Sequence, residues 1–163
     1  AQKLENVGIS ALTIHGRTTD QLYSGPVATE TIKRVNNALS IPVIANGAVK
    51  DKQSARYLIE KTGCRRIMIG RGSIGNPWLF SELSDPDYVP PSKEDICSVI
   101  KQHVTHIVSL YGEEQGIRHA RKIISAYVKG LGLPSTTRKM TNTLTTLKDV
   151  DRFLSQVGSI NKS

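Results

Sequence analysis

The sequence predicts an α/β fold: the last three β-α units of a parallel TIM-type barrel, a partial barrel, followed by an all-helical domain. Three observations point there. Short apolar runs at residues 11–15, 41–46 and 66–70 alternate with stretches of helical periodicity. A polar residue stands at or just past the end of each run: His15, Asn46 and Arg71. Beyond the SDPDYVPPS segment, residues 84–92, whose three prolines exclude regular structure, only helical patterns remain.

In chain order, AQKLENVGIS has no starting Met and reads as the tail of a helix stopped at Gly8. ALTIH, 11–15, is the first strand and GRTT its loop. Residues 29–39 carry Ile32, Val35 and Leu39 at helical spacing. IPVIAN, 41–46, is the second strand, with Gly47 just beyond. Asp51 is the expected N-cap of a helix whose apolar face is Ala55, Leu58 and Ile59, closed by Gly63. RIMIG, 66–70, is the third strand. Its unbroken Ile67, Met68 and Ile69 predict burial on both faces. The β-α-β-α-β order predicts parallel strands. In a parallel barrel the strand C-termini share the face that carries the active site, and the last two loops commonly bind phosphate. A barrel needs eight strands and about 250 residues. Three strands therefore read as its back portion, with the front outside this sequence.

Gly70, Gly72 and Gly75 come directly after the third strand, and a helix is expected to start immediately beyond them. Such a loop lets backbone N–H groups approach an anion at a helix N-terminus. The G-x-G-x-x-G spacing is not a dinucleotide fingerprint here. The acidic residue expected about 20 positions on falls at Asp95, inside PPSKED and not at a strand end.

After residue 92 the pattern is helical. Ser92 and Asp95 form a capping box for a helix to about Tyr111, with Ile96, Val99, Ile100 and Ile107 on one face. A second helix, 117–129, buries Ile117, Ala120, Ile124, Tyr127 and Val128 and ends at Gly130. Short helices are expected near 135–143 and 147–157.

The chain has 163 residues, 38% hydrophobic and 22% charged, which suits one or two small globular domains. No apolar run reaches the ~18 residues of a membrane span, and no signal peptide is visible. Cys64 and Cys97 lie far apart and in no C-x-x-C pair, which predicts reduced thiols and a cytoplasmic setting. The net charge of +8 suits a polyanionic partner. Between 115 and 148 stand Arg118, Arg121, Lys122, Lys129, Arg138, Lys139 and Lys148, with no Asp or Glu. Arg118, Lys122 and Lys129 share one helical face opposite the apolar stripe. A solvated face usually mixes signs; a single-sign face suits a phosphate backbone. No RNA-binding aromatic motif accompanies it, so sequence-specific readout is not expected.

HGRTTDQLYSGP, IPVIANG and IMIGRGSIGNPWLF, in this order and spacing, with RKIISAYVKG further on, resemble the tRNA-dihydrouridine synthases. The resemblance covers nearly the whole chain. It implies that 1–86 is the C-terminal part of an FMN-binding α/β barrel and that 87–163 is a helical tRNA-binding domain. It implies reduction of uridine to 5,6-dihydrouridine in tRNA, with FMN as cofactor and NADPH as electron donor. It gives the phosphate-side FMN contacts to Asn46, Gly47, Ala48, Gly70 and Arg71, and brings His15 near the flavin. The candidate RNA contacts are Arg118, Arg121, Lys122, Lys129, Arg138 and Lys139. The family's catalytic cysteine protonates the uracil from an N-G-C-P motif, and its flavin-contacting lysine lies on an earlier strand. Neither is present in this sequence. Cys64, in TGCRR, and Cys97, in the capped helix, do not inherit the cysteine's role. No catalytic residue is assigned, and the chain alone is expected to be inactive. Ile123 stands where the family often has His.

Each candidate has a plainer reading. Arg71 forks onto a phosphate or closes a surface loop; its strand-end place between two glycines favours the first. Asn46 fixes a flavin or caps an N-G turn, and the residues alone do not choose. His15 is a ligand contact or a satisfied core residue, and only the resemblance favours the former. Arg17 and Thr18 are expected to hold their own loop. His103 and His106 stand at i, i+3 with no carboxylate or cysteine at ligand spacing, so no metal is expected. Trp78, after Pro77, is expected to pack under the barrel rim. Two other functions stay open: an FMN barrel oxidoreductase acting on a small molecule, and a non-catalytic RNA-binding module with a vestigial half-barrel. Flavin absorbance separates the two enzymes from the module, and tRNA retention separates the enzymes from each other. A monomer is expected.

Overall fold

The computed structural model of the chain describes residues 1–22 and 24–160; Tyr23, inside HGRTTDQLYSGP, lies outside the described residues. Two compact units account for the chain: Ala1–Ser73 with Leu79–Pro86, and Ile74–Trp78 with Asp87–Ser163.

The first unit runs α1 (Gln2–Asn6), β1 (Leu12–His15), α2 (Thr29–Ala38), β2 (Val43–Asn46), α3 (Lys52–Thr62), β3 (Arg66–Met68) and α4 (Leu79–Ser84). The strands pair in parallel in the order β1-β2-β3, as the alternation with helices predicts. The register sets His15 opposite Asn46, and Asn46 opposite Met68. The three strand ends therefore come out side by side. Ile32 of α2, Val43 and Ala45 of β2, Ala55 and Leu58 of α3, and Cys64 make the core. Fully burying an aliphatic side chain of this size contributes about 1.5–3 kcal/mol. At the chain start, the Glu5 carboxylate accepts from the Ser40 hydroxyl and N–H at 2.7 Å each and from the Ile41 N–H at 3.1 Å. Those bonds, the Ser40 hydroxyl foremost, hold its pKa below the ordinary carboxylate range. They tie α1 to the turn that feeds β2.

The sheet departs from the sequence expectation in one respect. Only β2 alternates buried with half-buried residues; β3 reads exposed, half-buried, exposed, and Met68 is 51% exposed. The register explains this. Leu12, Ile14, Val43, Ala45 and Ile67 share the face toward the core, while Thr13, His15, Ile44, Asn46, Arg66 and Met68 share the other. The helices of this unit cover the first face alone. The Ile-Met-Ile run is apolar on both faces but only half-buried on one and exposed on the other.

The glycine loop also differs. No helix starts directly after Gly75. A 3-10 turn covers Arg71–Ser73, and α4 begins only at Leu79. Three glycines in six residues disfavour helix, and Pro77 keeps Asn76 out of it.

The second unit contains α5 (Lys93–Tyr111), α6 (Glu113–Gly130), α7 (Ser135–Met140) and α8 (Leu147–Ser159). Ile100, Val104, Ile107, Ile117, Ala120, Ile124, Val128, Val150, Phe153 and Val157 form its core. Capping boxes start α5 at Ser92/Asp95 and α8 at Thr146/Asp149. Helix α6 is longer than its apolar stripe suggests. It begins at Glu113, because Glu113 and Glu114 suit a helix N-terminus without adding apolar periodicity. Gly130 is its last helical residue and not its stop; the left-handed turn falls at Gly132, φ 68°. Trp78, expected under a barrel rim, packs against the core of this helical unit. Its ring meets Tyr127 edge-on with centroids 6.1 Å apart. His103 and His106 are exposed on α5, and the His103 ring edges onto Tyr127 at 6.2 Å.

Candidate functional site

The strand ends and their loops enclose a cavity of about 650 Å³, within the usual range for ligand pockets. His15, Asn46, Gly47, Ala48, Gly70 and Arg71, all six predicted cofactor residues, line it. Arg17, Val49, Lys50, Met68 and Gly72 complete the lining. Among the described residues, that lining holds Arg17, Lys50 and Arg71 and no carboxylate, so its charge is one-signed.

The floor is a hydrogen-bonded row across all three strands. His15 Nδ1 lies 2.6 Å from Asn46 Oδ1. Asn46 Nδ2 donates to the Met68 carbonyl at 2.8 Å. With the amide nitrogen donating, its oxygen must accept, so His15 Nδ1 carries the hydrogen and Nε2 is left for other partners. His15 is exposed and Asn46 half-buried, so neither is a core residue.

The loop after β2 is locally strained. Ala48 has φ 56°, in the left-handed region that costs a residue with a Cβ. Backbone strain of this kind clusters at ligand sites. Beyond Ala48 the chain is firmly held. The Asp51 carboxylate accepts from the Ser54 hydroxyl and N–H, which depresses its pKa, and the Lys50 N–H donates to Ser54 Oγ at 3.0 Å. Lys50 is thus anchored through its backbone while its side chain is exposed. On the third side, Gly72 packs against Val49: a Cβ at Gly72 would collide with the Val49 carbonyl oxygen. Gly72 is needed because two loops touch there, not because a ligand does. Arg17 donates Nε and Nη2 to the Gly25 carbonyl at 3.1 and 3.0 Å. Thr18 donates its N–H to Gln21 Oε1 at 3.0 Å. Both hold their loop, as the sequence suggests. Lys50 was not anticipated; its place four residues past Asn46, in the same strand-end loop, was the available signal.

The basic candidates lie in the helical unit. Arg118, Lys122 and Lys129 are exposed on α6. Lys139 is exposed on α7, and Arg138 is half-buried there. Arg121 differs. It is half-buried, and its Nε donates to the carbonyl of Leu144 at 2.9 Å. That bond fixes the segment between α7 and α8. Ile123, where the resemblance often has His, packs against the helical core. Cys64 is buried at 1% exposure beside the start of β3, and Cys97 is half-buried on α5. Neither lines the strand-end cavity.

Comparison with known proteins agrees with the motifs. A tRNA-dihydrouridine synthase B of Pasteurella multocida is 40% identical over 154 residues, covering 91% of this chain and 46% of the relative. The Vibrio cholerae protein of the same name is 39% identical over 90% of this chain and 47% of its own length. A probable tRNA-dihydrouridine synthase of Mycobacterium tuberculosis is 35% identical over 94% of this chain and 41% of its own length. The chain thus spans slightly under half the length of these relatives. The family described as dihydrouridine synthase matches residues 1–161. The chain belongs to the dihydrouridine synthase family.

Proposed function

We propose that this chain is the C-terminal portion of an FMN-dependent tRNA-dihydrouridine synthase, with Ala1–Pro86 contributing the last three β-α units of a TIM-type barrel and 87–163 the tRNA-binding domain. One observation carries the cofactor side. Three parallel strand ends converge on a cationic pocket built from glycine-rich loops, with no carboxylate in its lining among the described residues. That chemistry fits the phosphate of FMN. Arg71 supplies a planar fork and Lys50 a point charge. Gly47, Ala48 and Gly70 offer close backbone approach. The row from His15 through Asn46 to Met68 keeps the floor rigid, so these groups need little reordering when the ligand arrives. Bound FMN would supply the hydride for the uracil ring, replenished by NADPH. The residues of this chain hold and orient; a cysteine outside it would give the uracil ring the proton that balances the hydride. The helical unit binds tRNA through Arg118, Lys122, Lys129, Arg138 and Lys139. Arg121 supports that surface through Leu144. The setting is the cytoplasm and the chain acts as a monomer.

The test has three arms on the purified chain. FMN is retained on gel filtration with its visible absorbance. An unmodified tRNA transcript is retained on a filter, steeply less so as salt rises. Incubation with FMN, NADPH and the transcript yields no dihydrouridine. Loss of the first arm removes the cofactor reading, and loss of the second removes the tRNA reading. Turnover by this chain alone would show that the cysteine is not needed.

A further inference from the structure

We infer that the ring pair Tyr111–His119 is a stacking platform for an unpaired nucleobase, set beside the basic face of α6; this rests on the tRNA reading above. Tyr111 is the last residue of α5 and remains 57% exposed, next to Leu110 at 65%. Gly112, φ 76°, turns the chain, and α6 starts at once. The hairpin brings the Tyr111 and His119 rings to 5.1 Å between centroids, tilted by 48°. An aromatic side chain so open to water leaves most of its apolar surface uncovered. Here the ring is held in place by His119 instead of waving free.

The surroundings decide what covers it. His119 comes directly after Arg118 and stands three residues before Lys122, the spacing at which helix side chains meet. Arg118, Lys122 and Lys129 continue the same surface along α6. An aromatic plane flanked by cations matches a nucleotide, whose base has a π-face and whose phosphates lie within one sugar of it. Two carboxylates are near. The Glu113 carboxylate accepts the N–H of Leu147 at 2.8 Å and so is turned toward α8. Glu114, exposed in the first turn and four residues before Arg118, sets one negative charge at the end of a face that carries three cations. An acidic protein surface would use the cations and leave the ring uncovered, and an apolar one would use the ring and leave the cations unpaired, so RNA is the occupant that matches both. Paired bases are already stacked on their neighbours, so the platform selects a looped-out or single-stranded nucleotide. The sequence hid this because Tyr111 and His119 are eight residues apart on different helices.

The experiment measures binding of the 163-residue chain to an unmodified tRNA transcript and to a fully paired RNA duplex, each across a salt series. Tyr111→Ala is expected to lower tRNA affinity about five- to a hundredfold. The slope of log affinity against log salt stays unchanged, since no charge is removed. Tyr111→Phe keeps near wild-type affinity, and duplex binding is unaffected by either change. Wild-type tRNA affinity in Tyr111→Ala overturns the platform and leaves the patch to a protein partner. So does a loss accompanied by a shallower slope, or an equal loss on the duplex, because the residue would then act by positioning the cations. If the unaltered chain retains no tRNA at any salt, the tRNA reading itself fails and the platform falls with it.

Discussion

His15 and Asn46, opposite each other on β1 and β2, are joined side chain to side chain at 2.6 Å, and Asn46 passes the row on to the Met68 carbonyl at 2.8 Å. One amide thus ties three strands together where the pocket lies. Asn46→Ala removes both bonds and is expected to cost about 1–2 kcal/mol, since each contributes about 0.5–1.5 and the site is half-exposed. Asn46→Asp keeps the acceptor but sets a carboxylate against the Met68 carbonyl, so it should cost at least as much. Urea unfolding of the two variants checks this. Wild-type stability in both would mean that the row is incidental.

Cys64 separates structure from catalysis. It is buried at 1% exposure among Ile32, Val43 and Leu58, at the opposite end of β3 from the pocket. Cys64→Ala is expected to lower stability by about 1 kcal/mol through lost packing. In a full-length enzyme carrying this segment it leaves turnover at saturating FMN unchanged. Lost turnover in a folded variant would put the active face at the wrong end of the strands.

Arg121 and Lys122 are neighbours with different work. Lys122 is exposed, and Lys122→Ala is expected to lower the salt slope of tRNA binding by roughly 0.7–0.9 without altering stability. Arg121 donates to Leu144, which is 5% exposed, so Arg121→Ala leaves a buried carbonyl unpaired and costs about 1–3 kcal/mol. A paired measurement of slope and unfolding midpoint distinguishes them. Identical behaviour of the two variants would contradict the assignment.

Asp149 sets an acid limb. Bonds from the Thr145 hydroxyl and N–H and from Thr146 bring its pKa from 3.8 down to about 2. The folded value is depressed, so its contribution to stability is full above about pH 4. It is lost as pH falls from about 4 toward 2. Asp149→Asn should lower stability at neutral pH and flatten the acid limb in that window. An unaltered limb, monitored by helical circular dichroism against pH, would show that the cap of α8 is not formed in solution.

The fold was legible where apolar runs and caps are local. The β-α alternation, the Asp51 cap and the strand-end grouping of His15, Asn46 and Arg71 follow from residue order alone. Partnerships across the chain were not legible. The Asn46 amide meets His15 31 positions away, and Arg121 meets Leu144 23 positions away. Lys122 and Arg121 look alike in sequence, yet burial makes one a surface charge and the other a brace. Trp78 lies between the glycine loop and α4, but its ring goes to Tyr127 of the helical unit. The first turn of α6 escaped because Glu113 and Glu114 carry no apolar period. Burial of β3 was overestimated because an apolar run does not report which of its faces a helix will cover.

The most direct test compares FMN with riboflavin, which lacks the phosphate, by equilibrium titration of flavin fluorescence with the chain and with Arg71→Ala and Arg71→Lys. A charge-assisted bond contributes about 1.5–3 kcal/mol, so FMN should bind the unaltered chain roughly ten- to a hundredfold more tightly than riboflavin. Arg71→Ala should shrink that difference by weakening FMN alone, with Lys50 and the loop N–H groups retaining the remainder, and Arg71→Lys should restore part of it, because an ammonium offers no planar fork. Equal affinities for FMN and riboflavin in the unaltered chain would contradict a phosphate site at the strand ends, and an undiminished preference for FMN in Arg71→Ala would contradict the part given to Arg71.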